Sequence, residues 1–325
     1  MPRRLISTIL VAIVAACLFA QPAAEATVGD DAVTQVRVAA LKGPTAMGLV
    51  QLMDRSEDGA VNANAYTFSL VASPSEMTPR IVRGEVDIAA LPANLAGVIY
   101  NNTDGAIQVL AVNTLGVLYI VEHGDDVHSL SDLAGKTIYA SGKGSTPEYS
   151  LDYILDEAGL SDSVKVEWKS EHAECVAALV NDGEGVALLP QPFVTTAMMQ
   201  DDSIRVAIDL NDAWDEVSPD SSLITGVIVA RREFIDANRD AVDAFLADYA
   251  LSTAFANEDA QAAAALVGKY GIVPEAVALK ALPECNIVCV TGEEMESDLS
   301  AYLEVLYNAN PASVGGSLPG EDFYY

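Results

Sequence analysis

SEMTPRIVRGEVDIAALP, residues 75–92, returns in altered form as SEHAECVAALVNDGEGVALLP, residues 170–190. In each copy a Ser-Glu pair opens a stretch of helical apolar spacing, and a Gly-Glu pair (84–85, then 183–184) closes it. A short apolar run follows and Leu-Pro (91–92, then 189–190) ends it. Serine and an acidic residue at a helix start serve its unpaired N–H groups, and glycine at the far end accepts the left-handed conformation that stops a helix. The uninterrupted apolar run is what a strand covered on both faces requires.

Working outward, each copy is preceded by its own strand, glycine turn and helix: VAALKGPTAMGLVQLM (38–53) and TIYASGKGSTPEYSLDYIL (137–155). Further apolar runs at 36–41, 66–72, 107–112, 164–169 and 204–210 alternate with helical stretches. That alternation predicts an α/β fold of mostly parallel sheets with flanking helices. The repetition predicts two lobes of like architecture that aim helix N-termini across one cleft. The chain is expected to cross between lobes near 116 and to return after the polar stretch NDAWDEVSPDSS (211–222). Lobe 1 is then 33–116 plus 223–325, and lobe 2 is 117–222. A strand and a long helix are expected from 223 to 255, and beyond them helices with no strand between, packed back on the first lobe.

The 325 residues carry a formal charge of -30, which repels phosphate backbones and excludes nucleic acid as a partner. The same charge favours a monomer. Pro2-Arg3-Arg4, an apolar run from Leu5 to Ala20 and an A-x-A site at Ala24–Ala26 read as a secretory signal over 1–26. A second reading stands beside it: Val14-Ala15-Ala16-Cys17 matches a lipoprotein box, with Cys17 as the acylated residue. Either places the mature chain outside the cytoplasm. Of Cys175, Cys285 and Cys289, the last two are candidates for a disulfide, and burial of all three as small apolar side chains is the alternative. His123, His128 and His172 share no metal-ligand spacing with the cysteines, so no metal or other cofactor is expected.

The turns after the first strand of each lobe are the candidate binding elements. Gly43-Pro44-Thr45-Ala46-Met47 starts a helix at the carboxyl end of its strand, where open α/β sheets place ligands. Ser141-Gly142-Lys143-Gly144-Ser145-Thr146-Pro147 combines glycines, hydroxyls and a cation in a donor-rich nest for an anion. Neither is a phosphate loop, because neither has Lys-Ser/Thr directly after the second glycine. Tyr149 is placed to close over a guest. Pro92 with Asn94, and Gln191, belong to the matched turns after the buried strands, and their amides serve either a solute or their own turn. Thr114 and Thr225 fall at the two crossings. Lys42 is read as a rim residue and His172 as an exposed helix-start residue. Few aromatics, 6% of the chain, argue for a small anionic or zwitterionic guest over a large flat one.

The residues Ala40–Gly48, Gly84–Ala89, Tyr139–Gly144 and Leu189–Phe193, in this order and spacing, resemble the solute-binding proteins of ABC importers, in the nitrate/sulfonate/taurine/bicarbonate and thiamine-precursor group. The resemblance covers nearly all of the mature chain. It implies a type II periplasmic-binding fold, two lobes joined by two crossover strands that close on a small solute, and delivery to an importer's membrane subunits without chemistry. Alternatives are an enzyme of the thiamine-pyrimidine-synthase-like branch and a sensory protein docking on a membrane receptor. The sequence has no nucleophile elbow, metal spacing or dinucleotide fingerprint to support catalysis.

Overall fold

The computed structural model describes residues 33–59 and 61–325. The signal segment and Cys17 lie outside the described residues. The strands are β1 (Thr34–Leu41), β2 (Asn64–Val71), β3 (Ile88–Pro92), β4 (Ile107–Leu115), β5 (Leu118–His123), β6 (Thr137–Ala140), β7 (Lys165–Trp168), β8 (Gly185–Pro190), β9 (Ile204–Asp209), β10 (Ile224–Arg231) and β11 (Ile287–Val290). They form two sheets, ordered β11-β4-β10-β3-β1-β2 and β7-β6-β8-β5-β9.

The two orders are the same pattern. In the first sheet β2, β1 and β3 run parallel, with β10 and then β4 joined antiparallel. In the second, β7, β6 and β8 run parallel, with β5 and then β9 antiparallel. The repeated segments therefore occupy equivalent places. Helices Pro74–Val82 and His172–Asp182 lead into β3 and β8, and Gly84 and Gly183 after them have φ of +69° and +67°. All five residues of β3 are buried, as a doubly covered strand demands.

The core is continuous from one sheet to the other. The C-terminal helix Gly292–Ala309 sets Met295, Leu299, Tyr302, Leu303 and Leu306 into a cluster that holds residues of both sheets, Leu91 and Ile107 with Leu118 and Ile138. Its Tyr302 ring lies 5.3 Å from Trp214, which in turn lies 5.1 Å from Tyr153. Trp214 and Tyr302 are fully buried, so this aromatic row is a large apolar contribution at the back of the molecule.

One expectation is corrected. The C-terminal region is not strand-free: Ile287–Val290 forms β11 and pairs with β4 at the edge of the first sheet. Its four residues are too few to stand out between helices, and β4 supplies the partner. Cys285 and Cys289 are both free. Cys285 closes a 3-10 turn with its sulfur 3.8 Å from Met47 Sδ, whereas Cys289 has moved onto the edge strand. The first glycine turn also differs, since its helix is split into Pro44–Met47 and Val50–Glu57. Gly48 sits at the break, where a methyl group would lie 2.8 Å from Tyr249 Oη and 2.9 Å from Ile287 Cγ2.

Candidate functional site

The carboxyl ends of the parallel strands in both sheets face one another across a cavity of about 80 Å³. Equivalent parts of the two lobes line it. Leu41, Lys42, Pro44 and Thr45 after β1 oppose Gly142, Ser145, Thr146 and Pro147 after β6. Ala72 and Pro74 after β2 correspond to His172 after β7, Pro92 to Pro190, and Thr225 at the start of β10 to Leu118 at the start of β5. At roughly 30 Å³ per liquid water, the space suits a guest of a few heavy atoms.

Of the residues singled out in the sequence, Pro44, Thr45, Pro92, Gly142, Ser145, Thr146 and Thr225 line the cavity. The hydroxyl protons of three of them are already committed. Thr45 donates to Leu41 O (3.0 Å), Ser145 to Gly142 O (2.6 Å), and Thr146 more weakly to Asn94 Oδ1 and Thr225 O (3.4 Å each). Thr225 differs. It is 9% exposed, and its hydroxyl has no hydrogen-bond partner among the described residues.

The others stand back from the cavity, each for a physical reason. Gly43 holds φ of +133° to turn the chain into its helix, while Ala46 and Met47 point into the first lobe's core. Asn94 is fully buried and donates to Ser313 O at 2.9 Å, and its longer contacts to Gly144 O and Thr146 brace one lobe on the other. Thr114 is buried and donates to Asn113 Oδ1. Gly144 N donates to the carboxylate of Glu148 (2.5 Å), so the nest is filled by its own helix. Tyr149 opens on another hollow beside Asp152 and Tyr153. Gln191 accepts from Thr195 N and Oγ1 and thus caps the helix Phe193–Gln200.

Ser141 acts at one remove. Its hydroxyl lies 2.6 Å from Nδ1 of His172, a residue of the cavity wall that the sequence reading had placed on the surface. The imidazole packs on Phe193 with ring centroids 5.0 Å apart, and burial pushes its pKa down to about 4. A neutral ring carries one N–H and one acceptor nitrogen, and Ser141 fixes how it is turned. Lys42 is the one cation among the described residues lining the cavity, and no carboxylate lines it. The five prolines of the wall, with Leu41, Ala72 and Leu118, make the rest apolar.

A larger hollow of about 620 Å³ lies at the opposite end of the first lobe. Its arginines are spent: Arg231 on Asp87, Glu233 and Val86 O, Arg232 on Asp322 and Gly105 O. Glu233 and Asp236 line it as well. The interlobe cavity, where strand ends of both sheets converge, is the better candidate.

Two like α/β lobes with a cavity at their facing strand ends define a periplasmic-type binding protein. A family model described as ABC transporter, phosphonate, periplasmic substrate-binding protein matches residues 65–276, and the chain belongs to that family. Among solved structures it is similar to an ABC transporter protein from Parabacteroides distasonis, at 22% identity over 90% of this chain and 99% of that one, with a TM-score of 0.73. The alkanesulfonate-binding protein of Xanthomonas axonopodis pv. citri bound to MOPS matches at 15% identity, 88% and 95% coverage and TM-score 0.68. The nitrate-binding protein of Synechocystis PCC 6803 does so at 14%, 81% and 74%, and 0.60. No curated protein matches the chain. The type II fold and the solute-binding role of an ABC importer component follow from these findings, and the family's place is outside the cytoplasm.

Proposed function

We propose that this chain captures a small anion with a short apolar portion between its lobes, and hands it unchanged to the membrane subunits of an ABC importer. The observation that carries the reading is the buried, unpartnered Thr225 hydroxyl at the wall of the interlobe cavity. An unmade buried hydrogen bond costs about 1–3 kcal/mol, which a guest's oxygen recovers. His172 supplies the other polar contact, and the Lys42 ammonium at the rim draws the anion in without holding it. The absence of a lining carboxylate among the described residues disfavours amines and zwitterions.

The mechanism is capture without chemistry. Lobe arrangements exchange, and a guest that touches both walls stabilises the arrangement in which they meet. The acidic exterior supports a monomer, and the signal-like residues 1–26 support a place outside the cytoplasm, with the chain freed by cleavage after Ala26 or held by a lipid on Cys17. Calorimetry of residues 27–325 with methanesulfonate, methylphosphonate, nitrate, bicarbonate and taurine tests the reading. Binding of one or more of the anions ahead of taurine is expected. Preference for taurine, or turnover of any bound anion during long incubation, overturns it.

A further inference from the structure

The chain first passes between sheets at Gly116 and Val117, between the end of β4 and the start of β5. The Gly116 carbonyl accepts two side-chain amides, Asn286 Nδ2 at 2.6 Å and Asn211 Nδ2 at 3.2 Å. Asn286 immediately precedes β11 of the first sheet, and Asn211 follows β9 of the second. Resting on the solute-capture reading above, we propose that the Gly116 carbonyl is the pivot of lobe closure, with Asn286 and Asn211 as positioning residues, one from each lobe, that set the resting angle.

Each amide is itself held. Asn286 also accepts Leu115 N through its backbone carbonyl at 3.1 Å, so it grips the crossing at two points from the first lobe. Its φ of +42° is a conformation asparagine tolerates better than most residues. Asn211 is aimed by Asp209, whose Oδ1 accepts both its backbone N–H (2.8 Å) and its side-chain amide (2.9 Å). Gly116 makes room for this: a methyl there would lie 1.4 Å from Asn211 Oδ1. The next carbonyl, Val117 O, accepts Gln191 N of the second lobe at 3.0 Å. The crossing therefore changes hands within one residue.

The pivot is tied to the cavity. Three residues before Gly116, Asn113 Nδ2 donates to Thr45 O at 3.1 Å, fixing a turn of the cavity wall to the end of β4. On the return crossing, Gly226 packs so closely that a methyl would lie 2.5 Å from Asn113 Oδ1 and 2.6 Å from Thr45 Cγ2. Turn, crossing and return strand move as one block, and the rotation falls on the backbone at 116. A carbonyl has two lone pairs, and it satisfies both amides only over a narrow range of lobe angles. As the lobes part, the longer Asn211 contact stretches first.

Small-angle scattering without added solute, with methanesulfonate titrations alongside, tests this on residues 27–325. Asn211→Ala and Asn286→Gly are used, glycine at 286 because it keeps the positive φ. Each is expected to raise the radius of gyration and to weaken methanesulfonate binding roughly fivefold. Gly116→Ala is expected to disturb the resting angle, and Gly116→Ala with Asn211→Ala to return to the behaviour of Asn211→Ala alone, since the clashing atom is gone. Unchanged scattering in both asparagine variants, with native circular dichroism, overturns the pivot. Should Asn286→Gly fail to fold, the Gly116→Ala pair with and without Asn211→Ala decides alone; should Asn211→Ala fail to fold, Asn286→Gly decides, and its unchanged scattering with native circular dichroism overturns the pivot. Altered scattering with no methanesulfonate binding even in the wild type upholds the pivot and refutes that anion as the guest.

Discussion

Replacing Thr225 with valine separates a binding group from a structural one by the sign of its effects. Threonine and valine have nearly the same shape and both suit a strand, so β10 keeps its packing and its backbone pairing with β3 and β4. Only the hydroxyl is lost. That hydroxyl is buried with no partner, so the free protein carries its desolvation cost, about 1–3 kcal/mol. Removing it should stabilise the unliganded chain by that order. For a domain of this size each kcal/mol moves Tm by roughly 2–4 °C, and always upward here.

Solute affinity should move the opposite way. A hydrogen bond to a charged acceptor contributes about 1.5–3 kcal/mol, so the best-bound anion should lose roughly 10- to 150-fold in Kd. Scanning calorimetry of the free variant and titration calorimetry with methanesulfonate measure the two numbers independently. Thr225→Ser is the control that restores the hydroxyl. A fall in Tm for Thr225→Val, or an affinity within twofold of wild type, refutes the assignment of this hydroxyl to the guest.

Three further outcomes are expected. Met47→Ala should cost about 2–5 kcal/mol in urea unfolding while leaving the Kd of the folded protein unchanged, because Met47 is fully buried behind the cavity wall and does not line it. His172 should make stability fall as pH drops from about 6.5 to about 4. Its pKa is depressed in the folded state, so in that window the unfolded chain takes up a proton that the native ring refuses, a loss of up to roughly 3 kcal/mol. Urea midpoints for His172→Gln across the window should decline less steeply than those of wild type. Lys42→Gln should slow anion association in stopped-flow at low salt and flatten its salt dependence, with dissociation little changed, as expected for a rim charge.

The doubling of the fold was legible because it is written in punctuation. Ser-Glu, Gly-Glu and Leu-Pro mark helix starts, helix stops and strand ends in the same order in both copies, and local chemistry decides each of them. β11 escaped because a four-residue edge strand is specified by its neighbour β4 and not by its own pattern. The site was half legible for the same kind of reason. Which turns meet follows from topology, so Thr45, Thr146 and Thr225 fell in place. Which donors remain available depends on bonds made across space, and Glu148 filling the nest or Thr195 claiming Gln191 leaves no trace in composition. His172 was missed because its partner Ser141 lies 31 residues away and its ring rests on Phe193 from another turn. The recurring Ser-Glu signature did mark its neighbourhood: position 172 is the counterpart of the 72–74 turn that reaches the cavity in the first lobe.

On the proposed reading, that correspondence bears on how a repeated architecture could hold one particular guest. Where the copies agree they supply only a place: proline at 92 and 190, a turn after the first strand, and helices starting toward the cleft. Symmetric walls would favour a symmetric guest. Where they differ, the wall acquires direction. The first lobe offers Ala72 and Pro74 with the Lys42 ammonium at the rim, and the second sets His172, steered by Ser141, at the equivalent position. At the starts of β10 and β5 the equivalent wall residues are Thr225 and Leu118, a hydroxyl in one place and an apolar side chain in the other. A guest with a charged end and an apolar end satisfies such a pair of walls in fewer orientations than a uniformly polar ion does. On the proposed reading, selectivity would lie in the departures from the repeat, and exchanging residues at those positions should change which anion is preferred while leaving the fold intact.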